Sequence, residues 1–183
     1  MGEAPDVFTS RDVITSRRNA RVAAALKLRR TRVRRETGRS LIEGPFLLKE
    51  AAEAAITVHE VFAHFDDVAT RQVCKSNAWP LRTATADVME TLASSVSPRG
   101  PVAVIGVPAT PGIEARDSVV LWGIADPGNA GTIIRTAAAL GFQVIATAES
   151  VDLWSPKAIR SGVGGHFRTP PIEGLTSDQS LCL

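Results

Sequence analysis

Two apolar runs, residues 118–124 and 142–147, flank a polar turn and an Ala-rich stretch that ends at Gly141. That order confines the second half of the chain to a few folds. A strand apolar at nearly every position belongs in a parallel sheet covered on both faces, and parallel neighbours need a crossover, usually a helix. The spacing predicts a strand over 118–124, a turn over 125–131, a helix over 132–140 closed by Gly141 at C′, and a strand over 142–147. Ser155 and Pro156 open another helix that runs into residues 161–167, and Thr169-Pro170-Pro171-Ile172 leaves it.

The first half carries the same alternation in shorter units. Strands are expected at 40–43, 58–63, 80–83 and 102–107, helices at 45–55, 67–77 and 85–93, and a loop at 94–100. Residues 108–117, with Pro108, Pro111 and Gly112, read as a linker. Four segments follow: a basic helical arm (1–39), an α/β domain (40–107), the linker (108–117) and a second α/β domain (118–183). In the arm, the stretch from Thr15 to Asn19 caps a helix over 20–37 whose apolar stripe is Val22, Leu26 and Val33.

Charge is unevenly spread along this chain. Residues 1–40 hold eleven of the 21 Lys and Arg against four acids, and the remainder holds ten bases against fifteen acids. Arg17, Arg18, Arg21, Arg29, Arg30, Arg32, Arg34, Arg35 and Arg39 dominate the block. A guanidinium fork grips phosphate with two hydrogen bonds, so the block is either a nucleic-acid footprint or a solvated helix face.

Composition excludes several classes. With 44% hydrophobic and 22% charged residues the chain is globular, and its longest apolar stretches fall short of the roughly 20 residues of a membrane-spanning helix. The first residues lack the basic and apolar regions of a secretory signal, so a cytoplasmic protein without membrane partners is expected. Cys74 and Cys182 are expected as free thiols, and neither has metal-ligand spacing, so no metal is expected.

The chemistry should sit in Asp126-Pro-Gly-Asn129-Ala-Gly131-Thr-Ile-Ile-Arg135-Thr136, at the carboxyl end of a strand, where open α/β sheets bind ligands. Asn129 can cap the helix, Gly131 allows close backbone approach, and Arg135, about one turn in, can swing back toward the strand ends. Each also has a plain reading, as cap, turn residue and surface cation. Phosphate-loop and dinucleotide fingerprints are absent.

Asp126-Pro-x-Asn129-x-Gly131-x-x-x-Arg135-Thr136-Ala-x-Ala-x-Gly141 resembles the first signature motif of the SpoU/TrmH RNA ribose methyltransferases, members of the SPOUT superfamily. Ser155-Pro156-Lys157-Ala158-x-Arg160-Ser161-x-x-Gly164-Gly165-x-Phe167-x-x-Pro170 is similar to the segment those proteins carry after the next strand. Independently, Ile14-Thr-Ser16-x-x-Asn19-x-x-Val22 and Leu41-Ile-Glu43-Gly44-x-Phe46-Leu47 resemble their RNA substrate-binding domain. The resemblance spans roughly residues 14–171. It implies an N-terminal α/β substrate-binding domain like certain ribosomal proteins, followed by a SPOUT parallel-sheet domain whose family form closes a trefoil knot. Residues 174–183 contain neither the Gly-x-Glu-x-x-Gly turn nor the Ser-Leu-Asn-Val-Ser-type segment of the family, so the SPOUT domain is expected to be incomplete.

What the resemblance implies is methyl transfer from S-adenosylmethionine to a ribose 2′-hydroxyl, without metal, on ribosomal in preference to transfer RNA. Arg135 matches the family's catalytic arginine, and Asn129 would position the hydroxyl or hold the loop. Arg17, Arg18, Asn19, Arg29, Arg30, Arg32 and Arg160 would contact RNA, with Lys157 beside them. Arg160 and Lys157 also have a surface reading, and His166 is expected to be packed or exposed, not catalytic. No cofactor-binding residue is named. A homodimer is implied where the knot domain is complete, and the competing expectation is an inactive RNA-binding remnant without a cofactor pocket.

Overall fold

The structure is a computed structural model and describes residues 13–93 and 100–176. Cys182, most of the expected loop at 94–100 and the last residues of the expected second domain lie outside the described residues. Among the described residues no helix is long and apolar enough to cross a membrane.

Four strands, β1 (Arg39–Glu43), β2 (Val58–His64), β3 (Leu81–Ala84) and β4 (Val102–Gly106), form the first sheet in the order β1-β4-β2-β3. β4 runs antiparallel to both neighbours, and β2 pairs with β3 in parallel. Helices α3 (Pro45–Glu53), α4 (Val68–Ser76) and α5 (Ala86–Leu92) connect them, each within two residues of its expected bounds. The mixed sheet separates two apolar layers. One gathers Leu41, Phe62, Val88, Leu92 and Val104, and the other Ile42, Leu47, Leu48, Val61 and Ile105.

The expected helix over 20–37 is two helices, α1 (Ala20–Lys27) and α2 (Thr31–Thr37). Arg30 between them is extended at φ −92° and ψ 125°, and the bend lets Arg34 Nη1 donate to the Leu28 carbonyl at 2.7 Å. Asn19 caps α1 by accepting from the Arg21 amide, so the cap is the last residue of the expected stretch. Val22, Ala25 and Leu28 are buried in the first apolar layer, so residues 20–37 pack on the sheet along with the α/β domain.

Strands β5 (Ser118–Leu121), β6 (Gln143–Thr147) and β7 (Ile172–Leu175) form an all-parallel sheet in chain order. β7 has no counterpart among the strands expected from sequence. β6 is buried throughout, as its apolar run required. β5 is shorter than expected and pairs with β6 alone, and Val120 and Trp122 stand 40% and 54% exposed. Cover on both faces therefore fails for this edge strand: α6 (Pro127–Leu140) packs Ala130, Ile134 and Ala137 on the side of Leu121 and Val144.

Residues 108–117 form neither helix nor strand, yet the two sheets do not sit apart. Trp154, Ile159 and Phe167 complete the apolar layer of Ile42, Leu47 and Leu48. Around that shared core, Arg34 pairs with Asp152 with both side chains over 90% buried, and Ser40 Oγ donates to the Trp154 carbonyl at 2.6 Å. Arg168 closes the far side on Glu50.

Candidate functional site

The turn after β5 becomes helix earlier than its Pro-Gly composition suggested. Asp126 is the N-cap, its Oδ1 accepts from the Asn129 amide at 2.8 Å, and Pro127 occupies the first helical position, where a missing amide costs nothing. Asn129 is therefore not the cap and its side chain is exposed. Gly141 closes α6 as expected. With the start at Pro127, Arg135 lies more than two turns in. The six residues from Asn129 to Arg135 amount to about 9 Å of rise and about 240° of rotation, so the two side chains leave different faces.

A second helix start faces the first. Ser155 caps α7 (Pro156–Gly162), and Lys157 donates to Asp126 Oδ2 at 2.8 Å. The ammonium of Lys157, helped by the Asn129 amide, holds the Asp126 carboxyl below the usual carboxylate range. Gly131 makes the close approach its type suggested, but toward protein: a Cβ there would lie 2.3 Å from the Ala158 carbonyl oxygen and 2.9 Å from the Gly162 nitrogen.

α8 (Gly165–Arg168) seats the back of Arg135. A Cβ on Gly165 would come within 3.0 Å of Arg135 Cα, so the two backbones touch. Val163, just before α8, holds φ +44°, a strained value for a β-branched residue. His166 is packed, as expected, with no exposed surface. Its Nε2 lies 2.9 Å from the Leu153 carbonyl, which requires that nitrogen to carry the proton, and its Nδ1 faces no partner. Burial pushes its pKa down to about 4, so the ring is neutral and structural.

The Arg135 side chain is exposed, and among the described residues no hydrogen bond or ion pair holds it. Its neighbours differ: Lys157 is tied to Asp126, and Arg160 lies 3.8 Å from Glu43 of the first domain. What α6 offers is a fixed helix carrying one unengaged guanidinium, suited to an anion from outside.

Residues 117–181 match the profile of the SpoU rRNA Methylase family, and residues 19–103 match the MRM3-like substrate binding domain. The chain belongs to the SpoU/TrmH methyltransferase family. An uncharacterized tRNA/rRNA methyltransferase of Synechocystis sp. is 36% identical over 167 residues, covering 86% of this chain and 60% of the relative. The 23S rRNA (guanosine(2553)-2′-O)-methyltransferase RlmP of Bacillus subtilis is 28% identical, covering 87% and 64%. Among solved structures, the SpoU methyltransferase AviRb of Streptomyces viridochromogenes, in complex with AdoMet, superposes with a TM-score of 0.80 at 26% identity, covering 90% of this chain and 66% of that one. This family member thus spans less than two thirds of the length of these relatives.

The expected RNA contacts divide into two groups. Arg17 is paired with Asp87, Arg32 with Glu36, and Asn19 caps α1. Arg29 spans the end of α5, donating to the carbonyls of Thr91, Leu92 and Ala93 at 2.8, 3.2 and 2.7 Å. Arg18 and Arg30 are exposed and show no ion pair among the described residues. Sequence reasoning missed the roles of Arg34 and Asp152, because the partners are 118 residues apart and each looks like surface charge.

Beside the carboxyl ends of β6 and β7, Thr147, Ala148, Ser150, Glu173 and Gly174, with Arg35 of α2, line a depression of about 230 Å³. Gly123 N donates to Thr147 Oγ1 and Ser150 Oγ donates to the Leu121 carbonyl, both at 3.0 Å, which ties together the turns after β5 and β6. That volume lies below the roughly 300 to 1,000 Å³ of small-molecule sites, so the depression by itself does not enclose a donor the size of S-adenosylmethionine. Among the described residues no group of three or more His, Cys, Asp or Glu could hold a metal. Cys74 is a free, buried thiol whose pKa burial pushes up to about 11.

Proposed function

We propose that this chain belongs to an enzyme that methylates a ribose 2′-hydroxyl of ribosomal RNA in the cytoplasm, with S-adenosylmethionine as methyl donor. The observation that carries the reading is Arg135, unengaged on a helix that starts at the carboxyl edge of a parallel sheet and is held by the sheet, α7 and α8. Its support is chemical. A guanidinium with a pKa above about 12 is no general base at neutral pH, but it can hold the adjacent phosphate and stabilise the oxyanion that develops on the attacking hydroxyl. Asn129, on a different face of α6, would hold the loop at the start of that helix. Thr147, Ser150 and Gly174 would form the wall toward the donor, which when bound supplies an electrophilic methyl on sulfonium sulfur.

The names of the Bacillus subtilis and Synechocystis relatives support an RNA substrate, and the match to a substrate-binding domain over residues 19–103 supports recognition by the first domain. Exposed Val120, Trp122 and Leu140 on the second domain give apolar area that a second subunit would cover, which supports a homodimer.

Calorimetric titration of S-adenosylmethionine into the 183-residue chain tests the reading. Saturable binding at one site per subunit is expected. No binding, with RNA still bound, would leave the chain as an RNA-recognising piece without a donor site.

A further inference from the structure

A groove of about 430 Å³ opens where α1 and α2 lean away from the first sheet. Its floor is apolar, from Leu28 and Val104, and four cations stand around it: Arg21, Lys27, Arg39 and Arg82. The single carboxylate among them, Glu60, is mostly buried, and its Oε1 accepts from Arg21 Nη1 at 2.7 Å and from Arg82 Nε at 2.8 Å. Glu60 thereby fixes two guanidinium planes in advance. Lys27 and Arg39 are exposed and have no ion pair among the described residues. His59 lines the same groove, and burial, with the charge of Arg39, holds its pKa below the ordinary value, so at neutral pH it can donate and accept.

We propose that this groove seats one nucleotide of a single-stranded stretch of the RNA, its base over the apolar floor beside His59 and its phosphate on Lys27 and Arg39. The proposal rests on the reading of the chain as acting on RNA and adds where the strand is held. The volume lies within the range of small-ligand pockets, and the excess of cations over carboxylate matches a phosphodiester. Unpaired bases are gripped by stacking on His rings or Arg planes with hydrogen bonds to their edges, and the groove offers both. A strand, more than a free nucleotide, fits a further feature. Arg21 and Arg82 also border a second depression, of about 330 Å³, that continues past Asn19 to Ser16, so the next nucleotide has a place to lie.

Fluorescence anisotropy with a labelled 12-nucleotide oligoadenylate and NMR titration with adenosine 5′-monophosphate test this together. The Lys27→Ala/Arg39→Ala variant should melt with the parent, lose about tenfold in RNA affinity, and flatten the salt dependence by about 1.4 log units per log unit of salt. Lys49→Ala/Lys75→Ala, on α3 and α4 outside the groove, should stay within about twofold. Adenosine 5′-monophosphate should shift the amides of Leu28, His59 and Val104 saturably and more strongly than inorganic phosphate or adenosine alone. If the parent binds RNA and the groove variant binds it equally well, the groove is not the site. If the parent binds no RNA, the RNA reading fails by itself, and the nucleotide titration still decides the groove. Absent shifts at those amides, or equal shifts with inorganic phosphate, overturn the proposal.

Discussion

The arginines of α1 and α2 and the lone arginine of α6 look alike as residues and are used in opposite ways. In the first region Arg34 is buried on Asp152, Arg29 closes α5, Arg21 is pinned on Glu60 and Arg32 lies against Glu36. In the second, Arg135 is exposed and uncommitted on a helix held by apolar packing on the sheet and by close backbone approach at Gly131 and Gly165. Of these four only Arg34 crosses to the second domain while the others brace the first, and one isolated guanidinium on a rigid support marks where chemistry is proposed. A count of basic residues sees only the first.

The sharpest way to break the comparison is to remove Arg34. Arg34→Ala leaves Asp152 as a buried uncompensated carboxylate, and urea unfolding should show a loss of about 3–5 kcal/mol. Replacing both partners, Arg34→Met with Asp152→Leu, should recover most of it. Equal losses in the single and double variants would mean that packing, not pairing, joins the domains.

A smaller effect comes from the second region. His166 is neutral in the fold with a pKa of about 4, below its unfolded value near 6.5, so the unfolded chain binds the extra proton first. Its contribution is complete above about pH 6.5 and is lost as pH falls toward 4. The full loss is about 3 kcal/mol, and a His166→Gln variant should flatten stability against pH over that window. An unchanged slope would show that the ring is not the titrating group.

The smallest effect separates neighbours. Arg29→Ala should cost about 1–2 kcal/mol by stripping three carbonyls at the end of α5 of their donor, whereas Arg30→Ala should leave the melting temperature unchanged. Equal melting temperatures would return Arg29 to the solvated face that sequence allowed.

Much of this fold was legible because its signals are local. Apolar runs set β4 and β6, Pro45 and Pro156 opened helices, and Gly141 ended one. Errors arose where a local signal had two readings. Asp126-Pro127 is both turn chemistry and a helix start, and a stretch over 28–32 without Gly or Pro hides the bend that Arg34 needs. β7, broken by Gly174 and preceded by two prolines, has no apolar run to announce it. At the candidate site, the close approach at Gly131 was readable from its residue type. The neighbour that demands the approach was not, because Ala158 is distant in sequence.

The central claim is that Arg135 serves chemistry and not cohesion. Transfer of labelled methyl from S-adenosylmethionine to ribosomal RNA, followed by nucleoside analysis, should be compared for the parent and Arg135→Ala at matched melting temperature and RNA affinity. The parent should yield 2′-O-methylated nucleoside and the variant should lose about a hundredfold or more, as for removal of an oxyanion-stabilising donor. Undiminished transfer by Arg135→Ala would contradict it.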